Sequence, residues 1–358
     1  MATGSGNKRA MTRVNRYWTL APGPLGGLPE PADFEFHEGP IPTPGPGQAL
    51  CRTIYVSLDP YQWYYKKRGV EPVGAVCHAR TVSQIIESHI EGFAPGDLVF
   101  NVGGWAEYAL MGEGIARPAY MIPRKLDPAV GRISQAVGVL GMLGLTAYCG
   151  MVLMGEPKRG ETVVVSAASG GVGQIAGQLA RLSGARVVGI AGREEKCRYV
   201  TQELRFDACV SHLSPTLAED LRAACPAGVD VYFENVGGAV FDAVYPLFNR
   251  GARMTICGVI AQFAEGAEAD GKAYIMRQGE AVFRDRGVKV GELFVGDFVA
   301  DHQDAFLRDV AGWVASGEIR YREDIRQGIE NVPACFAEMM RGGNFGKMLV
   351  QVGEDPTL

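Results

Sequence analysis

The stretch that decides the fold is Glu161–Ile190, which reads ETVVVSAASGGVGQIAGQLARLSGARVVGI. It begins with a continuous apolar run, Glu161–Ser166, which is typical of a strand buried on both faces of a parallel sheet. A Gly-rich turn follows, then a helical pattern at Val172–Leu182 and a second apolar strand at Arg186–Ile190. Strand, tight turn, helix and strand within about thirty residues predict one βαβ unit.

The same alternation continues beyond this unit. The predicted elements are a helix at Glu194–Glu203, a strand at Ala208–Val210, a helix at Leu217–Ala224, a strand at Val229–Glu234, a helix at Val240–Leu247 and a strand at Arg253–Cys257. The fold class is therefore α/β, with a doubly wound parallel sheet.

Residues before about 130 differ in character, because they are rich in Pro and Gly and contain short β-rich runs. These runs are Ala49–Leu58, Val82–Glu87 and Asp97–Phe100. At the other end, Phe345–Val352 predicts one more strand, which we expect to return to the first domain. A length of 358 residues also favours two domains.

Composition excludes several classes of function. A formal net charge of -5 leaves no basic excess for nucleic acid. Lys8, Arg9 and Arg13 are not followed by an apolar run, so we expect no signal peptide. The eight scattered cysteines contain no CxxC pair, which indicates reduced thiols in the cytoplasm. The uncharged stretch Val137–Met154 is short and Gly-rich, which favours a buried helix over a membrane span.

The turn Ala168-Ser169-Gly170-Gly171-Val172-Gly173 stands between the first strand and its helix, where a dinucleotide fingerprint lies. Glycines there allow a tight turn and bring backbone amides close to a pyrophosphate. The first position of the motif is Ala instead of Gly, so the motif alone is weak evidence. Its position between a strand and a helix is what indicates a dinucleotide site. The alternative is a structural turn without a ligand.

The end of the second strand predicts which cofactor binds. NAD sites place an acid there for the ribose hydroxyls, whereas this strand ends in Gly192 and Arg193, with Lys196 nearby. These cations can pair with a 2′-phosphate, which favours NADPH. The alternative is that both are ordinary surface cations.

Several motifs in one order carry a family resemblance. They are Ser57–Tyr61 (SLDPY), Gly103–Tyr108 (GGWAEY), Gly141–Tyr148 (GMLGLTAY), Val165–Gly173 (VSAASGGVG), Asp230–Gly238 (DVYFENVGG), Cys257–Ile260 (CGVI) and Gly343–Lys347 (GNFGK). The chain resembles the zinc-independent medium-chain dehydrogenases/reductases, in the group of leukotriene B4 12-hydroxydehydrogenase, prostaglandin reductase, alkenal double-bond reductase and curcumin reductase.

The resemblance implies a GroES-like substrate domain at residues 1–137 and 309–358, a Rossmann NADPH-binding domain at residues 138–308, and a homodimer. It also implies an enzyme that reduces the carbon–carbon double bond of a small α,β-unsaturated carbonyl compound. Hydride would pass to the β-carbon, and the resulting enolate would be protonated at the α-carbon. A quinone or carbonyl reductase, or a cofactor-binding relative without this chemistry, remains an alternative.

The strand-end pattern and the resemblance together give the candidate cofactor residues. Ala168, Gly170, Gly171, Val172 and Gly173 form the pyrophosphate turn. The candidate contacts of the 2′-phosphate are Gly192, Arg193, Lys196 and His212. His212 stands where the family commonly has a Tyr. Asn235, Cys257 and Phe263 lie on the nicotinamide side, and Asn344 contacts the phosphates or ribose.

The expected substrate cleft departs from the family pattern. Relatives carry a Tyr where this chain has Phe263, so a hydroxyl near the substrate oxygen is lost. Tyr61, Tyr64 and Tyr65 are the remaining candidate hydroxyl donors, and Tyr61 is the family residue that lines the cleft.

Two further residues are candidates for substrate contact. Trp63 could reshape one wall of the cleft, although core packing explains it equally well. Arg80 could bind the carboxylate of an acidic substrate; the alternative is a solvated or salt-bridged arginine. No metal is expected, because the five histidines have no ligand spacing and Cys77 and His78 are neighbours that a strand would point to opposite faces.

Overall fold

The computed structural model describes residues 14–264 and 270–358. Lys8, Arg9 and Arg13, on which the signal-peptide prediction depends, lie outside the described residues. The strands form a two-stranded ribbon, a seven-stranded mixed sheet and a six-stranded parallel sheet. The Rossmann-type sheet and the accompanying β-rich unit are therefore both present, which confirms the predicted fold class.

The N-terminal part is built from short antiparallel strands. They are β1 (Val14–Leu20), β2 (Phe34–Pro40), β3 (Gln48–Ser57), β4 (Thr81–Ser88), β5 (Leu98–Asn101), β6 (Tyr108–Gly112) and β7 (Arg124–Lys125), with one helix, α1 (Tyr61–Lys67). The ribbon consists of β1 and β2. In the mixed sheet β3 is the longest strand, and β4 and β6 pair with it on opposite edges. The three β-rich runs predicted from sequence are β3, β4 and β5.

The first strand of the parallel sheet lies in Glu161–Ile190, the stretch that decides the fold. Its strands are β8 (Thr162–Val165), β9 (Arg186–Ala191), β10 (Ala208–Ser211), β11 (Val229–Glu234), β12 (Phe248–Ile256) and β13 (Lys289–Glu292). The helices of this part are α2 (Met142–Tyr148), α3 (Gly173–Leu182), α4 (Glu194–Arg198), α5 (Leu217–Ala224), α6 (Gly238–Val244), α7 (Gly271–Arg286) and α8 (Val299–Ala315).

The strand order across this sheet is β10-β9-β8-β11-β12-β13. The direction of winding therefore reverses between β8 and β11, and ligands bind at such a switch point, outside the carboxyl ends of the strands. Five of the six strands were predicted. The sixth, β13, was missed because Lys-Val-Gly-Glu contains no apolar run.

Helices cover both faces of the sheet, which explains the apolar character of β8. Val163 and Val165 enter one hydrophobic core, together with Ile175 of α3. Val164 points to the opposite core, where it joins Phe241 of α6. Since successive strand residues face opposite sides, a strand buried between two helix layers has to be apolar at every position.

The uncharged stretch near residue 140 is not one regular helix, in contrast to the prediction. It consists of a 3₁₀ turn at Ile133–Val137, α2, and a π-helical turn at Cys149–Gly155. A Cβ at Gly144 would lie 1.9 Å from the carbonyl oxygen of Val139, so glycine permits this close packing. In the two described ranges, no helix has the length and hydropathy that a membrane span needs.

The chain ends in β14 (Glu323–Gln327), α9 (Val332–Met340) and β15 (Lys347–Gln351). β15 pairs antiparallel with the end of β3 and parallel with β14. The predicted C-terminal strand therefore exists and joins the N-terminal sheet. The domain boundaries at 137 and 308 stay a prediction.

Candidate active site

The turn after β8 has the close backbone packing that a dinucleotide fingerprint needs. Ala167 adopts a left-handed conformation, with φ of 49°. A Cβ at Gly173 would lie 2.3 Å from the Ala167 carbonyl oxygen, and one at Gly171 would lie 2.4 Å from Leu143. Glycine is therefore required at Gly173, where the obstacle is backbone, whereas a side chain at Gly171 would have to displace the Leu143 side chain.

The other members of the turn are also brought to the start of α3. Ala168 is buried, and its amide donates to the carbonyl oxygen of Ile190 at 2.9 Å, which ties the turn to β9. Gly170 and Val172 precede the helix directly. Backbone amides at such a helix start suit a pyrophosphate.

A cluster of basic groups lies where β9 and β10 end. Lys196 is largely buried, and its ammonium donates to the carbonyl oxygen of Gly342 at 2.8 Å. His212 Nε2 lies 3.4 Å from the position that a Gly192 Cβ would take. Arg193 is exposed beside them.

Electrostatics at this cluster favour an anion. Burial lowers the pKa of Lys196, and the charge of Arg193 lowers it further. Burial and the charge of Lys196 also lower the pKa of His212. Among the described residues, no carboxylate forms an ion pair with Lys196 or Arg193. A 2′-phosphate would supply the missing negative charge.

The carboxyl ends of β8 and β11 meet at Ser166, Glu234 and Asn235. The Asn235 backbone amide donates to Ser166 Oγ at 2.7 Å, and its side-chain Nδ2 donates to the Ser166 carbonyl oxygen at 2.7 Å. Ser166 Oγ in turn donates to Glu234 Oε1 at 2.8 Å. Burial raises the pKa of Glu234. This network fixes Asn235 at the switch point.

The remaining residues that the sequence predicts on the cofactor side lie on two short segments. Cys257 follows β12, and its amide donates to the Glu234 carbonyl oxygen at 2.9 Å. Burial raises the pKa of its thiol to about 12, so it is not a nucleophile at neutral pH. Phe263 lies on a 3₁₀ turn at Ile260–Ala264. Asn344 donates from Nδ2 to the carbonyl oxygen of Gly346 at 2.7 Å.

Helix α1 brings three tyrosines to the opposite wall. Tyr61 Oη lies 2.9 Å from His78 Nε2, and the Tyr61 and Tyr65 rings meet edge to face at 5.2 Å. Burial, with Tyr65 nearby, raises the pKa of Tyr120. Tyr64 is more exposed, and its ring lies 6.1 Å from that of Phe263. The wall thus presents several phenol hydroxyls next to the cofactor-side segment.

Arg80 is part of a buried ion network, in contrast to its predicted role with an acidic substrate. Its Nη2 lies 2.8 Å from Asp59 Oδ2, and Lys347 Nζ lies 3.0 Å from Asp59 Oδ1. All three side chains are at most 6% exposed. Burial alone would raise the pKa of Asp59, but Arg80 and Lys347 lower it well below its usual range. The structure supports the salt-bridged alternative for Arg80.

The structure also argues against the predicted substrate contact of Trp63. Its side chain is fully buried, and Nε1 donates to the carbonyl oxygen of Gly27 at 2.7 Å. Its ring packs near Phe34 and Phe336 in the core of the N-terminal domain. Core packing is therefore the correct explanation.

Sequence reasoning missed three residues at this site. His78 was considered only as a zinc ligand. Tyr120 lies in an irregular segment without a pattern, and its ring meets Phe294 edge to face at 5.3 Å. Phe294 follows β13, the strand that was not predicted. A search for aromatic residues after each strand end would have found Phe294.

The described part of the chain contains no cluster of three or more His, Cys, Asp or Glu side chains that could hold a metal ion. Cys77 is fully buried in the core, whereas His78 faces Tyr61. The two neighbours therefore point to opposite sides. All eight cysteines carry free thiols.

Two family models match the chain. One, described as the N-terminal domain of oxidoreductase, covers residues 16–116. The other, described as zinc-binding dehydrogenase, covers residues 171–292.

Similar proteins extend over almost the whole chain. The NADPH-dependent curcumin reductase of Escherichia coli (strain K12) is 39% identical, across 95% of this chain and 98% of its own. Prostaglandin reductase 1 of Rattus norvegicus is 34% identical, across 93% and 98%. The crystal structure of CurA in complex with NADPH from Vibrio vulnificus superposes with a TM-score of 0.84 at 39% identity, across 95% and 100%.

Proposed function

This chain belongs to the medium-chain dehydrogenase/reductase family, in the group of the curcumin and prostaglandin reductases, and on that premise we propose that it is an NADPH-dependent enone reductase. It would reduce the carbon–carbon double bond of a small α,β-unsaturated carbonyl compound. Since Arg80 is paired with Asp59, the substrate needs no carboxylate.

The contact between α1 and the carboxyl end of the parallel sheet carries this proposal. Tyr64 packs on Phe263, and Lys67 Nζ donates to the Phe263 carbonyl oxygen at 3.1 Å. Tyr120 meets Phe294 in the same way. Because cofactors bind at the carboxyl ends of the strands, this contact supports a position of the tyrosine wall opposite the nicotinamide.

The proposed cofactor contacts come from the groups at the ends of the parallel strands. The turn at Gly171 and Gly173 would cradle the pyrophosphate, and Lys196, Arg193 and His212 would hold the 2′-phosphate. NADPH supplies the hydride when it is bound. The protein contributes the orientation of the two reactants and the electrostatic support of the product of hydride addition.

On the substrate side of the site, the proposed reaction gives Tyr61 a role. As hydride adds to the β-carbon, the electron pair of the double bond moves towards the carbonyl oxygen, which becomes an enolate oxygen. Tyr61 would donate a hydrogen bond to that oxygen, and water would protonate the α-carbon. Burial raises the pKa of Tyr61, so the phenol keeps its proton at neutral pH. Tyr64 and Tyr65 are the further candidate donors.

The direct test is to follow NADPH oxidation with a panel of enones, enals and quinones, with NADH in parallel and with product identification by mass and NMR. A saturated ketone or aldehyde, formed with NADPH preference, supports the proposal. Turnover of quinones alone would establish the alternative reductase. Tight NADPH binding without any turnover would show that the change at Phe263 has removed the chemistry.

A pair of variants makes the test specific. Tyr61→Phe is expected to lower kcat by roughly 10²-fold, the usual cost of one oxyanion donor. Tyr245→Phe is the matched control, because that ring stacks on Phe241 in the cofactor-binding domain at 5.1 Å. Equal activity of Tyr61→Phe and wild type would exclude Tyr61 as the donor. The homodimer and the cytoplasmic location stay predictions; light scattering tests the first.

A further inference from the structure

Backbone hydrogen bonds before and after His78 fix the segment that carries it. The Cys77 amide donates to the Trp18 carbonyl oxygen at 2.9 Å, and the Gly104 amide donates to the Ala79 carbonyl oxygen at 3.1 Å. Cys77 and Ala79 are fully buried. The alternation of an extended segment then directs His78 away from that core and towards α1.

The contact of His78 is with the hydroxyl of Tyr61. Nε2 and Oη are 2.9 Å apart, and the two rings meet edge to face at 5.8 Å. The Tyr65 ring lies 6.1 Å from the imidazole on a second side. The imidazole therefore touches the phenol that the proposed reaction uses.

The charges around His78 keep the ring neutral. Burial, with the positive charges of Lys66 and Arg80, lowers its pKa to about 4, and Asp59 opposes this only in part. A neutral imidazole carries one N–H. If that hydrogen is on Nε2, His78 donates to Tyr61 Oη; if it is on Nδ1, Nε2 accepts the phenol hydrogen.

These two tautomers have opposite consequences for the reaction. A phenol that donates to His78 points its hydrogen away from the substrate. A phenol that accepts from His78 keeps its own O–H free for the carbonyl oxygen, and the second hydrogen bond polarises that O–H. Only the second arrangement supports the developing enolate.

We propose that His78 is a positioning residue that donates from Nε2 to Tyr61 Oη and thereby directs the Tyr61 hydroxyl to the substrate carbonyl oxygen. This inference rests on the proposed function. No proton leaves either side chain: hydride adds to the β-carbon, the double-bond electron pair moves to the carbonyl oxygen, and water protonates the α-carbon. His78 acts on the reaction only through Tyr61.

The tautomer can be tested without turnover. In the full-length enzyme labelled with ¹⁵N-histidine, we expect the His78 resonances to show protonated Nε2 and unprotonated Nδ1 at pH 7. Tyr61→Phe should shift the Nε2 resonance, while the exposed His89 remains unchanged and serves as the control. A protonated Nδ1 at His78 would overturn the proposal.

A double-mutant cycle tests the effect on the reaction. His78→Leu is expected to lower kcat about tenfold, the worth of one hydrogen bond, and to leave the Kd of NADPH unchanged. In the Tyr61→Phe background the same change should cost nothing further. Equal losses in both backgrounds would show that His78 does not act through Tyr61.

Two controls keep this cycle decisive. His78→Gln retains an amide donor, so it should recover most of the activity and fold even where the Leu variant does not. His89→Gln should behave as wild type. If the wild-type enzyme reduces no enone, the proposed function is wrong, whereas the ¹⁵N measurement still decides the hydrogen-bond direction.

Discussion

Replacing Lys196 by alanine should change the cofactor preference of this enzyme rather than its ability to bind a dinucleotide. The Lys196 residue is largely buried, and its ammonium donates to a backbone carbonyl oxygen, that of Gly342, at 2.8 Å. A backbone carbonyl does not neutralise a buried charge. The 2′-phosphate of NADPH does, and NADH has no group at that position.

The magnitude follows from the type of contact. A hydrogen bond to a charged group contributes about 1.5–3 kcal/mol. Since 1.4 kcal/mol corresponds to a factor of ten, the Kd of NADPH should rise by about 10- to 150-fold. The Kd of NADH should change by less than about threefold, because its contacts to the turn at Gly173 remain.

Fluorescence titration of both cofactors, at low and at moderate salt, measures this difference. Arg198→Ala is the matched control, because Arg198 lies on the same helix and its side chain is 60% exposed. This control should leave the ratio of the two Kd values unchanged. If Lys196→Ala weakens NADH and NADPH equally, Lys196 only supports the backbone at Gly342, and the assignment of the 2′-phosphate cluster is wrong.

Three further changes test the turn, the ion network and the buried histidine. Gly173→Ala would place a Cβ 2.3 Å from a backbone carbonyl oxygen, so calorimetry should show NADPH binding lost, whereas Gly312→Ala, with open space around it, should bind normally. Asp59→Ala leaves two buried cations unpaired, and urea unfolding should show a loss of about 3–5 kcal/mol; a loss below 1 kcal/mol would contradict the burial of the network. The pKa of His78 falls from 6.5 to about 4 on folding, so the folded state binds fewer protons and loses stability as pH falls through this window. Between pH 7 and pH 5 the wild type should therefore lose about 2 kcal/mol more than His78→Gln; equal losses would exclude this.

The fold and the conformation of the turn after β8 could be predicted from sequence because both depend on local patterns. The apolar run at β8 shows that a strand is covered on both faces. A Cβ at Gly171 would meet the side chain of Leu143, outside the turn, whereas the nearest obstacle to a Cβ at Gly173 is the Ala167 carbonyl oxygen within the turn itself. Such requirements are visible within a window of a few residues.

The substrate wall could not be predicted in the same way, because its contacts join distant parts of the chain. The sequence left open whether Arg80 faces a ligand or forms a salt bridge; it pairs with Asp59, which also binds Lys347, 288 positions away. Trp63 is an aromatic residue of the kind that lines clefts, but its surroundings are those of a core residue. Nothing in the sequence near either residue identifies the partner that buries it.

Lys347 explains why such a costly network is present at this place. Its Cδ lies 3.3 Å from the position that a Gly171 Cβ would take, so its stem packs against the cofactor turn. Its ammonium donates to the Leu58 carbonyl oxygen at 2.5 Å and to Asp59 at 3.0 Å, just before Tyr61. Burying three charges contributes little to net stability, because desolvation offsets the attraction. The network links the turn proposed for the pyrophosphate to the helix that begins with the proposed hydroxyl donor, and so fixes the distance between them. Because small misplacements of reacting groups are expensive in rate, we infer that the geometry of hydride transfer, more than stability, is what this buried side chain serves.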